Sequence, residues 1–146
     1  MHSNKKIRKE EIKHKLVELG EYIAQVEEYL PSNEEEFLTK GIEKHGIYKL
    51  IESAIENIIK ICSMINSDLK LGIPSNEDDI IKNLVKNKII SKEIEETISE
   101  MKGFRNILVH RYGEINDRQA FENISKNLGD FDKFKEEIMK FLEKQK

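Results

Sequence analysis

A chain of 146 residues can bury a core without disulfide or metal staples, and its length fits one domain spanning residues 1–146. Hydrophobic residues make up 38% and charged residues 36%. The apolar ones recur at helical spacing, which excludes a disordered chain and requires a heavily charged surface. Both signs are interspersed to a net charge of −3, which excludes a generally basic nucleic-acid binder; any site for a polyanion must be local.

The N-terminal "MHSNKKIRKEEIKHK" has no apolar signal core. No apolar run reaches the roughly 18 residues of a bilayer span. One cysteine, Cys62, allows no disulfide within the chain. The expectation is a cytoplasmic protein in a reducing compartment, with no membrane partner. The basic cluster Lys5, Lys6, Arg8 and Lys9 reads as a solvated helix start, with phosphate-backbone contact as the alternative.

A first helix is predicted over roughly residues 5–30, its buried face formed by Ile12, Leu16, Leu19, Ile23, Val26 and Leu30 at three-and-four spacing. Pro31 breaks it. Ser32 with Glu35 has the form of a capping box for a short helix through Leu38, and Gly41 and Gly46 leave room for a bend. The strongest stripe follows: Ile47, Leu50, Ile51, Ala54, Ile55, Ile58, Ile61, Cys62, Ile65 and Leu69. Period-two alternation is absent, so this is the central helix despite its β-branched residues. Gly72 suits the position past its C-terminus, and Pro74 follows. Ser75 or Asn76 caps a shorter helix, and Ser91 caps another through Ile94, Ile98, Met101 and Phe104, ended by Gly113. Asn116 with Gln119 caps a last helix carrying Phe121, Ile124, Leu128, Phe131, Phe134, Ile138 and Phe141, bent near Gly129. The fold class is all-α: an antiparallel bundle of about five helices.

Most candidate chemistry dissolves on inspection. His2, His14, His45 and His110 form no H-E-x-x-H pattern and no C-x-x-C occurs, so no metal site is expected. Cys62 lies on the apolar stripe and reads as an inert core thiol. No phosphate loop or nucleophile elbow occurs, and no cofactor is expected. The acidic runs Glu34–Glu36 and Glu77–Asp79 each open a helix, where they favour the positive end of its dipole, and that role suffices for both.

"FRNILVHRYGEI" is different. Only four of the 25 basic residues are arginine, and Arg105, Arg111 and Arg118 fall in one fourteen-residue window. Arg105, Asn106, His110, Arg111 and Tyr112 interrupt what should be the apolar face of a bundle helix. At about 100° per residue, Arg105 and Tyr112 share a side, as do Asn106 and His110, while Arg105 and His110 stand about 140° apart. One straight helix does not aim both at one point; a groove, or the same patch of a two-fold partner, would bring them together. Histidine can act as general acid or base near neutral pH. Arginine offers a planar donor fork to phosphate oxygens. Together they suit cleavage of RNA through its own 2′-hydroxyl without a metal. The bland alternative is that both residues cap helix-end carbonyls and pair with nearby acids.

"GFRNILVHRYGEI" resembles the motif of HEPN-domain ribonuclease toxins of the HepT group, Arg-x-x-x-x-His-x-Tyr, with Asn106 after the arginine and Ile107-Leu108-Val109 before the histidine. "ESAIENIIKI", "LKLGIP" and "DFDKFKEEIMKFL" extend the likeness over roughly residues 45–145. The position between histidine and tyrosine, often acidic in the group, is Arg111 here, which makes the site more basic. The resemblance implies a HEPN-like homodimer, open to further assembly with a partner, whose Arg105 and His110 catalyse metal-independent cleavage of RNA in a shared cleft. Asn106, Tyr112 and Glu56 would support them, and Arg111 and Arg118 would bind RNA phosphate. Glu56 matches a recurrent acid that orients Arg105 or His110, with a surface or packing role equally open. It further implies an antitoxin of the MNT nucleotidyltransferase type that attaches AMP to Tyr112 and so blocks the phosphate site. The alternative is a non-catalytic helical dimer that binds such a partner or a nucleotide.

Overall fold

The predicted periodicities are realised as helices. The computed structural model describes residues 6–110 and 114–145, and among these there are seven α-helices and no strand. They are α1 (Lys9–Tyr29), α2 (Glu34–Leu38), α3 (Ile42–Asp68), α4 (Glu77–Lys86), α5 (Lys92–His110), α6 (Asp117–Asn127) and α7 (Gly129–Glu143). The short helix predicted through Leu38 is present as α2, and the number exceeds about five because the predicted last helix is divided at Leu128–Gly129.

Polar side chains start the helices where orphan amides need acceptors. Asn76 accepts from the Asp79 amide at 2.9 Å, the Ser91 hydroxyl from Ile94 at 3.1 Å, and Asn116 from Gln119 at 3.1 Å. The cap of α2 lies one residue later than Ser32: Asn33 accepts from the Glu36 amide at 2.8 Å. The end of α3 also departs from expectation. Lys70, two residues after Asp68, turns left-handed at φ 53°, and Gly72 takes φ 126° beyond it. Two such turns in succession reverse the chain toward α4, and the second suits glycine.

The predicted faces are the buried ones. Ile12, Leu16, Leu19, Ile23 and Val26 of α1 meet Ile51, Ala54, Ile55, Ile58, Ile61, Cys62 and Ile65 of α3 in one core, closed by Ile98 of α5 and Phe131, Phe134 and Ile138 of α7. Each fully buried isoleucine, leucine or phenylalanine contributes about 1.5–3 kcal/mol. The core therefore sits around α3, which packs on α1, α4 and α5.

Specific contacts reveal the direction of each pair. Arg8 reaches Asp68 at 2.9 Å, and buried Asn57 donates to the Lys15 carbonyl at 2.7 Å, so α1 and α3 run antiparallel. The Lys9 ammonium donates to the Gln145 carbonyl at 3.2 Å, which sets the start of α1 beside the end of α7. Ser91 donates through its amide and hydroxyl to Glu137 at 2.8 and 2.7 Å, fixing the start of α5 on the later part of α7. Glu77 and Asp78, opening α4, meet Lys102 and Arg105 near the end of α5. The bundle is antiparallel, and its α4–α5 end carries the arginine–histidine motif.

Candidate functional site

Helix α5 is unbroken from Lys92 to His110. Ile94, Ile98, Met101 and Leu108 bury one face against the core, which turns Lys102, Arg105 and Asn106 toward α4 and solvent. The angular separation of about 140° between Arg105 and His110 therefore applies to the folded helix. Arg105 is drawn in, its side chain only 14% exposed, whereas Asn106 and His110 are exposed. His110 is the last residue of the helix.

The guanidinium of Arg105 is held by two partners. Nη2 donates to Glu77 Oε1 at 2.9 Å and Nη1 to Glu77 Oε2 at 3.3 Å, a bidentate pair. Nη2 also donates to Asn106 Oδ1 at 3.2 Å. Lys102, one turn earlier, lies 2.6 Å from Asp78 Oδ1 and 3.6 Å from Glu77 Oε1. The Arg105 hydrogen bond holds the Glu77 carboxyl below the usual carboxylate range; partial burial opposes this, and the charges of Arg105 and Lys102 reinforce it. Lys102 likewise lowers Asp78. The first turn of α4 thus does more than favour a helix dipole: it supplies the anion that faces the motif arginine.

The other candidate residues are dispersed. Glu56 is half-buried on α3, and the carboxylate paired with Arg105 is Glu77. Arg118, in the first turn of α6, pairs with Glu34 of α2 at 2.8 Å while remaining 65% exposed. Arg111 and Tyr112 lie outside the described residues, as does Gly113.

Beyond the motif, Asp117 opens α6 as a second anchor. It accepts from the buried Tyr48 hydroxyl at 2.5 Å and from the Lys44 ammonium at 2.8 Å, and Phe37 packs edge-on against Tyr48 and tilted against Phe121. The chain on both sides of residues 111–113 is thereby fixed, by α5 packing before and by this cluster after. Neither Glu77 nor the Tyr48–Asp117–Lys44 cluster stood out in the sequence. The one available signal was topological: antiparallel α4 and α5 must bring the start of one to the end of the other.

The all-α bundle is shared with solved HEPN toxins. The tri-AMPylated HEPN toxin of Shewanella oneidensis, solved in complex with MNT antitoxin, superposes at a TM-score of 0.79 and 25% identity, over 88% of this chain and 96% of that one. The chain belongs to the family described as Ribonuclease HepT-like, whose model matches residues 19–138. It is 32% identical over 84 residues to the mRNA nuclease HepT of Shewanella oneidensis, covering 58% of this chain and 63% of that protein, less than two thirds of the relative's length. It is 28% identical over 117 residues to the tRNA nuclease HepT of Aphanizomenon flos-aquae, covering 80% of this chain and 74% of that one.

Proposed function

We propose that this chain is the toxin of a HEPN/MNT toxin–antitoxin pair, a metal-independent endoribonuclease that works as a homodimer. The observation that carries this reading is the placement of Arg105 and His110 on one continuous helix of a Ribonuclease HepT-like chain, the arginine drawn in and the histidine open to solvent. Their angular mismatch favours a shared site, because a two-fold partner places a second α5 opposite the first. Exposed Ile107 and Val109, 43% and 42% accessible beside the motif, suit such a contact.

In the cleft, one His110 imidazole takes the proton of an RNA 2′-hydroxyl as its oxygen attacks the adjacent phosphorus. The bond from phosphorus to the 5′-oxygen breaks, and the protonated His110 of the second copy gives that oxygen a proton. Arg105 stabilises the charge that builds on the phosphorane. Arg111 and Arg118 add phosphate contacts, and Asn106 and Glu56 support the pair. An MNT-type nucleotidyltransferase antitoxin silences the site by transferring AMP from ATP to the Tyr112 hydroxyl, with pyrophosphate as the leaving group. The sequence motif and the AMPylated state of the Shewanella toxin support that step, since an added anion seven residues after Arg105 competes with RNA for it.

The test is RNA cleavage by the purified chain in EDTA. Wild type is expected to cleave, and His110→Ala to cleave about two to four orders of magnitude more slowly, as for loss of a general acid–base group. Cleavage that needs added metal, or undiminished cleavage by His110→Ala, refutes the reading.

A further inference from the structure

Arg105 carries five N–H donors. Three are committed: one on Nη1 and one on Nη2 to the Glu77 carboxylate, and the other on Nη2 to Asn106. The two that remain, on Nε and Nη1, sit on different edges of the guanidinium and form no fork. A phosphate cannot take a bidentate grip unless one partner leaves. The carboxylate already holds the end-on fork in the geometry a phosphate would use. It is also the charged competitor, whereas Asn106 is neutral. Lys102 stands on the opposite side of the exchange, with its ammonium 3.6 Å from Glu77 Oε1 and side chain only 14% exposed. It can retain Glu77 once Arg105 has gone.

From this arrangement we infer that Glu77 is the affinity-setting residue of the RNA site: it occupies Arg105 as a built-in phosphate stand-in, and RNA binds by displacing it onto Lys102. The inference rests on the proposed ribonuclease reading. Glu77 then sets a threshold. A lone phosphate monoanion gains little by replacing a carboxylate of equal charge. A polynucleotide gains, because neighbouring phosphates add contacts that Glu77 does not contest. The substrate class selected is a chain of several nucleotides rather than a single nucleotide. Asp78 provides the internal comparison, since it carries the same charge one residue away and faces Lys102 at 2.6 Å rather than Arg105.

The experiment measures binding of a labelled single-stranded RNA to the full chain carrying His110→Ala, so that cleavage does not consume the probe. Glu77→Gln in that background is expected to bind about five- to tenfold tighter, the range for freeing one partly exposed charge. The dependence of log Kd on log salt is expected to keep its slope, because RNA meets Arg105 in both chains and the number of phosphate contacts is the same. Asp78→Asn, which frees Lys102 and leaves Arg105 paired, is expected to change Kd less than about twofold. Glu77→Ala repeats the test if the glutamine variant is unstable. Equal effects at positions 77 and 78 would reduce Glu77 to general repulsion and overturn the inference. So would weaker binding by Glu77→Gln, which would make the carboxylate a support for Arg105 rather than its competitor. Failure of the underlying reading has a separate mark: Arg105→Ala in the same background would then bind RNA as tightly as its parent.

Discussion

Tyr48→Phe tests the anchor that returns the chain to the bundle after the motif. The perturbation removes one oxygen and leaves the ring, which is 3% exposed, in place. What is lost is an O–H to carboxylate hydrogen bond of 2.5 Å, while Asp117 keeps Lys44 at 2.8 Å. A hydrogen bond to a charged group contributes about 1.5–3 kcal/mol. Asp117 is 29% exposed and can recruit water, so about 1–2 kcal/mol is expected at neutral pH. That lowers Tm by about 2–8 °C for a chain of this size. Urea unfolding followed by circular dichroism, run from pH 3 to pH 11, measures it. Burial pushes the Asp117 carboxyl up, but the hydrogen bonds from Lys44 and Tyr48 outweigh it and leave the group below its ordinary range. Its contribution is therefore present above the unfolded value of about 3.9 and lost as pH falls through the lower folded value. The Tyr48 hydroxyl moves the other way, pushed far up by burial first and by Asp117 second. Its contribution is present below about pH 10 and declines as pH rises beyond it. The gap between wild type and variant should be widest near neutrality and narrow at both extremes. A gap independent of pH, or one below about 0.5 kcal/mol at pH 7, would refute the reasoning.

Two further outcomes follow from burial and exposure. Cys62 is fully buried and its thiol is pushed up by desolvation, so a thiol reagent should label the native chain only at the rate of opening and label it at once in urea; rapid native labelling would contradict the packing. Val109→Glu, at a position 42% exposed, should leave thermal stability within about 0.5 kcal/mol yet convert the proposed dimer to monomer by light scattering and abolish RNA cleavage. A variant that still dimerises would remove Val109 from the interface.

Sequence alone determined the helices, their buried faces and the location of the motif. Periodicity carries that information because burial selects residue type position by position. Ile12, Leu16, Leu19, Ile23 and Val26 read as one face and are one face, and the stripe from Ile47 to Leu69 forms the centre of the core. Caps at Ser91 and Asn116, and at Ser75 or Asn76, were legible for a related reason, since an orphan amide near a helix start needs a local acceptor, and the structure selects Asn76. The misplaced cap at Ser32 shows how little separates adjacent polar residues when only spacing is available: Asn33 does the work with Glu36.

Tertiary structure alone decided which charges meet. With 25 basic and 28 acidic residues, pairing carries no periodicity, and the partners lie far apart in the chain: Glu77 with Arg105, Glu34 with Arg118, Arg8 with Asp68, and Tyr48 and Lys44 with Asp117. Glu77 looked like any acid at a helix start, and Glu56 was the acid that the resemblance offered to the motif. The antiparallel set of α4 against α5 reversed that order by bringing the first turn of one to the last turns of the other. Residue type specified an arginine suited to phosphate; chain topology specified that a carboxylate holds it.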